Sequence, residues 1–164
     1  MKVISSFKGL KHLKIIDSYL GGYDKKFSIF CSSLANCQEL ESLNIPGNRI
    51  FNNNGESQSN ARNLNAALRK LKKLRCLDIR NNFRNSFFDN AVTITAFENL
   101  PHLKEVIISE SESFDAVKAG LDSVGFYHVK TVDSDNEFEK REVWLNKNYA
   151  DLSWAEDMSV DAFN

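Results

Sequence analysis

The sequence predicts an α/β solenoid of about four stacked units, each a short strand, a turn, a helix and a return, with the strands side by side in a parallel sheet. Two observations carry this. One line of residues recurs as Leu10-x-x-Leu13-x-Ile15-x-x-Ser18-x-Leu20, Leu40-x-x-Leu43-x-Ile45-x-x-Asn48-x-Ile50 and Leu74-x-x-Leu77-x-Ile79-x-x-Asn82, with a degraded copy at Leu103-x-x-Val106-x-Ile108-x-x-Ser111. The copies start 30, 34 and 29 residues apart, which leaves room in each period for a strand, about three helical turns and a return. The apolar spacing also changes within each unit, from every second residue to every third or fourth.

Each element follows from that change of period. Leu43 and Ile45 lie two apart and share one face of a strand, with Ser42 and Asn44 on the other; Leu77 and Ile79 repeat this against Cys76, Asp78 and Arg80. Phe27, Phe30, Cys31 and Leu34 have the spacing of one helix face, as do Ala61, Leu64, Leu68 and Leu71. Ala96, Phe97 and Leu100, then Phe114, Val117, Leu121 and Val124, continue the pattern, and Gly125 ends the last helix with a residue suited to a left-handed backbone. Asn48 and Asn82 stand where the chain turns away from the strand. A side-chain amide there offers a donor and an acceptor to backbone groups that the turn leaves unpaired.

Beyond Gly125 the repeat stops. Phe126 to Val132 and Glu142 to Leu145 are rich in strand formers, and the polar run from Asp133 to Arg141 separates them. They are expected to pair antiparallel as a C-terminal β cap with Trp144 over the end. The domain reading is therefore repeats over 1–125, capping strands over 126–145, and an acidic-hydrophobic tail over 146–164. In that tail Asp151, Glu156, Asp157 and Asp161 alternate with Leu152, Trp154, Met158, Val160 and Phe163. Such a segment either packs back on the domain or docks in a groove on another protein.

The junction from Leu34 through Asn36, Cys37, Leu40, Leu43, Ile45 and Asn48 to Ile50 resembles a unit junction of the leucine-rich-repeat family, in the subclass of ribonuclease inhibitor and the sensor tails of NOD-like receptors. The resemblance covers roughly residues 3–125. It implies a right-handed βα superhelix with a concave parallel sheet and outer helices, and it implies protein–protein recognition. The nearest role is the ligand-sensing or autoregulatory C-terminal repeat region of a cytosolic NOD-like-receptor-type protein. A scaffold subunit of a larger assembly, or the substrate-recognition arm of a ubiquitin ligase, are the alternatives. The fold alone does not choose among them.

Composition narrows the classes. Across 164 residues, 21 basic side chains balance 22 acidic ones, which argues against a nucleic-acid binder driven by net charge. No apolar run approaches the ~18 residues that span a bilayer, and Met1 to Phe7 is too short and polar for a secretory signal, so a cytoplasmic location is expected. Cys31, Cys37 and Cys76 have neither metal-ligand spacing nor a disulfide framework; Cys31 and Cys37 are expected to be buried, and Cys76 exposed. His12, His102 and His128 fall in different units without a nucleophile at motif spacing. Gly21-Gly22 and Gly47 lack the further glycines and Lys of a phosphate loop. No catalytic residue, cofactor or metal is expected.

Departures from the repeat locate the candidate binding residues. The stretch from Phe51 to Asn60 lengthens its unit and is expected to project as a polar loop. In the third unit Arg84 replaces the aliphatic residue of Ile50, and Phe83, Phe87 and Phe88 gather around Arg80 and Arg84, the composition of an interface hot spot. The outward strand positions form a row: His12, Lys14 and Ile16; Ser42, Asn44 and Pro46; Cys76, Asp78 and Arg80; Glu105, Ile107 and Ser109. The candidates are thus Phe83, Arg84, Phe87, Phe88, Arg80, Asp78, Asn44, Lys14 and Trp154. Val3, Ile4, Phe7 and Leu10 look like the last turn of a preceding helix, so upstream repeats or another subunit are expected to cover the N-terminal edge. The expected partner is a protein, not nucleic acid or membrane.

Overall fold

A computed structural model describes residues 8–22, 24–51, 57–82, 96–109, 121–133 and 140–147. Strands β1 (His12–Lys14), β2 (Ser42–Asn44), β3 (Cys76–Asp78), β4 (Glu105–Ser109), β5 (Phe126–Asp133) and β6 (Lys140–Asn146) form one six-stranded sheet in the order β1-β2-β3-β4-β6-β5. The first four strands run parallel, each beside its predecessor, and β6 and β5 extend the sheet antiparallel. Helices α1 (Asp24–Leu34) and α2 (Ser57–Leu68) follow β1 and β2.

Register follows the recurrent line. His12, Ser42, Cys76 and Glu105 are successive partners, then Leu13, Leu43, Leu77 and Val106, then Lys14, Asn44, Asp78 and Ile107. Every equivalent apolar residue thus stacks on its counterpart in the next unit. Past the three-residue strands the same bonds recur: the Ile15, Ile45 and Ile79 amides donate to the Asn44, Asp78 and Ile107 carbonyls at 2.8, 2.9 and 3.1 Å.

One side of the sheet faces a continuous core. Leu43, Ile45, Leu77, Ile79, Val106 and Ile108 from the strands meet Phe27, Phe30, Cys31 and Leu34 of α1 and Ala61, Leu64, Ala67 and Leu68 of α2 in a single cluster. Removing one such Leu side chain costs about 3 kcal/mol. Trp144 pairs opposite Val106, is fully buried, and closes this cluster on the β6 side, where Phe97 and Phe126 also meet at 6.4 Å.

The two ends of the stretch from Phe51 to Asn60 differ from the projecting loop expected there. Phe51 is buried in the core, and Ser57 to Asn60 form the first turn of α2. Asn60 is itself buried, its Nδ2 donating to the Ile50 carbonyl at 3.0 Å and the Gly21 carbonyl at 3.3 Å. Residues 52–56 lie outside the described residues. Polarity alone misreads Asn60 because its side chain works inward, satisfying backbone that the turn leaves open.

Candidate protein-interaction surface

The turns after β1, β2 and β3 are built on one framework. Asn82 accepts the Asn48 amide at 3.0 Å and the Ile50 amide at 3.4 Å through Oδ1, while its Nδ2 donates to the Ile45, Ile79 and Arg80 carbonyls. One unit earlier Asn48 repeats the set: Oδ1 accepts the Ser18 and Leu20 amides, and Nδ2 donates to the Ile15 and Pro46 carbonyls. Each asparagine therefore stitches its own turn to the unit before it. In the same slot of the first unit the Ser18 hydroxyl donates to the nearby Ile16 carbonyl, on the surface.

This turn needs left-handed backbone twice. At the first position stand Asp17 (φ 48°), Gly47 (φ 68°) and Asn81 (φ 53°), residue types for which that conformation is cheap. A Cβ on Gly47 would also collide with Asp17 Oδ1. Gly21 is required for another reason: a Cβ there would overlap Ile50 Cα and the Arg49 carbonyl, where successive turns touch.

At the second left-handed position stand Tyr19 (φ 55°) and Arg49 (φ 53°), for which that backbone is strained by roughly 1 kcal/mol each. Their side chains are together at the surface. The Arg49 guanidinium lies 4.1 Å from the Tyr19 ring centroid, and its Nη2 donates to the Tyr19 hydroxyl at 2.8 Å. Tyr19 is 50% exposed, and nearby Ile16, at 44%, is another of the exposed large apolar residues. The sequence hides this pair because nothing in Tyr or Arg announces a positive φ. Aligning the first two units at their 30-residue offset would have placed them in one slot.

The outward row of strand residues is graded. In the first unit His12, Lys14 and Ile16 are exposed. Further along, Asn44 and Asp78 are each 2% exposed, so neither presents the open surface expected of it. Neighbouring strands stand ~4.8 Å apart, and side chains in the row cover one another's flanks. Arg80 also folds over Asp78, donating from Nε and Nη2 to the two carboxylate oxygens at 2.9 and 2.7 Å. That pair is spent within the molecule, a buried bidentate bond. Cys76, Ile107, Val143 and Leu145 are buried on this same face, beside Glu105.

Cys76 is thus buried, not exposed as its strand position implied. Alternation assigns a residue to a face but does not say whether the face is covered. Burial first, and then the adjoining Glu105 carboxylate, push its thiol up to about 12, and burial alone pushes Cys31 up to about 12. Burial raises Cys37 as well. All three stay protonated thiols at neutral pH. Phe83, Arg84, Phe87, Phe88 and Trp154 lie outside the described residues, so the structure brings together, of the candidates, Arg80 with Asp78 and, across β1 and β2, Lys14 with Asn44.

Among the described residues, no group of three His, Cys, Asp or Glu is placed to hold a metal ion, and no helix is long and apolar enough to cross a membrane. No family model matches this chain, and neither the curated proteins nor the solved structures contain a match to it.

Proposed function

We propose that this chain is a protein-recognition module made of leucine-rich-repeat-like units, acting through the rim where the parallel strands end. The carrying observation is the pair Tyr19 and Arg49. Both hold a left-handed backbone where Gly or Asn would be less strained, and their side chains stack at the surface, Tyr19 exposed and Arg49 half-buried. Residues that work against the backbone and face outward are accounted for by what they touch. Tyr and Arg are also the types enriched at interface centres. The repeated line supports the family likeness, and the NOD-like-receptor role rests on that likeness.

The N-terminal edge fits the same reading. Among the described residues β1 is an outer strand of the sheet, Leu10, Leu13 and Ile15 are only half-buried, and Ile16 is exposed beside them. Upstream repeats or another subunit would cover that edge.

The test compares the wild-type chain with a double variant, Tyr19→Asn and Arg49→Asn. Asparagine is the residue that adopts this backbone at Asn81. The variant is expected to keep its stability within about 1 kcal/mol and to lose proteins that the wild type captures from cell extract. Equal capture by both chains would sink the reading.

A further inference from the structure

The opposite rim, where the parallel strands begin, is organised by charge. The same return turn precedes three strands: the Leu40, Leu74 and Leu103 amides donate to the Cys37, Leu71 and Leu100 carbonyls at 3.0, 3.0 and 3.1 Å. That turn puts Glu39, Lys73 and His102 in equivalent places. Two residues on, the Glu41 carbonyl accepts the Arg75 amide and the Arg75 carbonyl accepts the Lys104 amide, both at 2.8 Å, so Glu41, Arg75 and Lys104 are also neighbours. Repetition therefore builds a grid: Lys73, Arg75, His102 and Lys104 on two units, and Glu39 and Glu41 on the unit beside them.

A groove of about 400 Å³ opens on this grid, lined by Glu41, Lys73, Arg75, His102 and Lys104. The glutamates hold part of the positive set in place. Lys73 Nζ reaches Glu39 at 2.6 Å, and Arg75 Nη1 reaches Glu41 at 3.7 Å, with Lys11 on the far side of Glu41 at 3.0 Å. Lys11, by hydrogen bond and by charge, holds the Glu41 carboxyl below its usual range, so it is ionised at neutral pH. Lys73 and Arg75 remain 55% and 50% exposed, open to a second anion.

We infer that this groove binds an acidic segment of a partner protein, with side-chain carboxylates at alternate residues lying across Lys73, Arg75, His102 and Lys104. In an extended segment alternate side chains share a face about 7 Å apart, the reach of two residues within one unit of the grid. The pair of glutamates selects the class of partner. A nucleic acid carries charge at regular short intervals and would set phosphates against Glu39 and Glu41. A peptide can place neutral or basic residues there. This surface lies on the other rim from Tyr19 and Arg49 and rests on the protein-recognition reading, yet each surface can fail alone.

The test is fluorescence anisotropy of a fluorescein-labelled peptide of alternating glutamate and alanine, titrated with the full chain at low salt, where screening is weak. An alternating lysine–alanine peptide and oligothymidylate of equal length are measured beside it. The acidic peptide is expected to bind more tightly than either. Arg75→Gln with Lys104→Gln should weaken it about fivefold, and Glu41→Gln should tighten it about twofold by removing a competing carboxylate. Should the double variant lose its circular-dichroism signature, Lys73→Gln and Glu41→Gln decide alone. No binding of the acidic peptide, affinity unmoved by these substitutions, or tighter binding of oligothymidylate would each overturn the proposal. The Tyr19 and Arg49 experiment would be untouched by any of these results.

Discussion

The two rims of the parallel sheet use repetition in different ways. Where the strands end, equivalent slots keep the same chemistry: Asn48 and Asn82 make the same bonds, and Asp17, Gly47 and Asn81 take the same backbone. Where the strands begin, the turns are equally regular, but the slots change character, Glu39 to Lys73 to His102 and Glu41 to Arg75 to Lys104. A slot that keeps its residue type, or keeps to types for which its backbone is cheap, is answering the backbone. A slot that keeps its geometry while its residue varies is answering something else. Tyr19 and Arg49 are such a slot within the first rim, the backbone calling for glycine or asparagine and the sequence supplying neither.

Breaking the constant slots should therefore have the largest effect. Asn82→Ala removes the side chain that pairs with the Asn48 and Ile50 amides and with the Ile45 and Ile79 carbonyls, the Arg80 carbonyl keeping the Gly47 amide. A loss of about 3–4 kcal/mol in urea unfolding is expected. Gly47→Ala forces a Cβ onto left-handed backbone and against Asp17, for about 2 kcal/mol in the same measurement. The variable slots come last. Arg49→Asn with Tyr19→Asn trades relief of strain against a lost cation–π contact and should stay within about 1 kcal/mol. Exposed ion-pair changes such as Arg75→Gln should move stability by less still.

What the sequence discloses and what it conceals divide along the same line. Asn48 and Asn82 are legible because their spacing from Leu40 and Leu74 is fixed and their chemistry has one obvious use in a turn. Leu43, Leu77 and Val106 are legible because period two sends them to one face. Alternation assigns Asn44, Asp78 and Cys76 to the right face but not to the right environment, since it is silent about how closely a row packs or whether Arg80 folds back on it. Asn60 reads as loop by composition and proves to be an internal hydrogen-bond donor. The charged grid goes unseen because its members are scattered as 39, 41, 73, 75, 102 and 104, and net charge over the whole chain averages them away.

The most direct test sets a constant slot against a variable one at successive unit-to-unit contacts: urea unfolding of Asn82→Ala beside the double variant Tyr19→Asn and Arg49→Asn. The midpoint of Asn82→Ala should fall by the equivalent of about 3–4 kcal/mol while that of the double variant shifts by no more than about 1 kcal/mol. Comparable losses in both, or a stable Asn82→Ala, would contradict the division between residues that hold the array and residues that it displays.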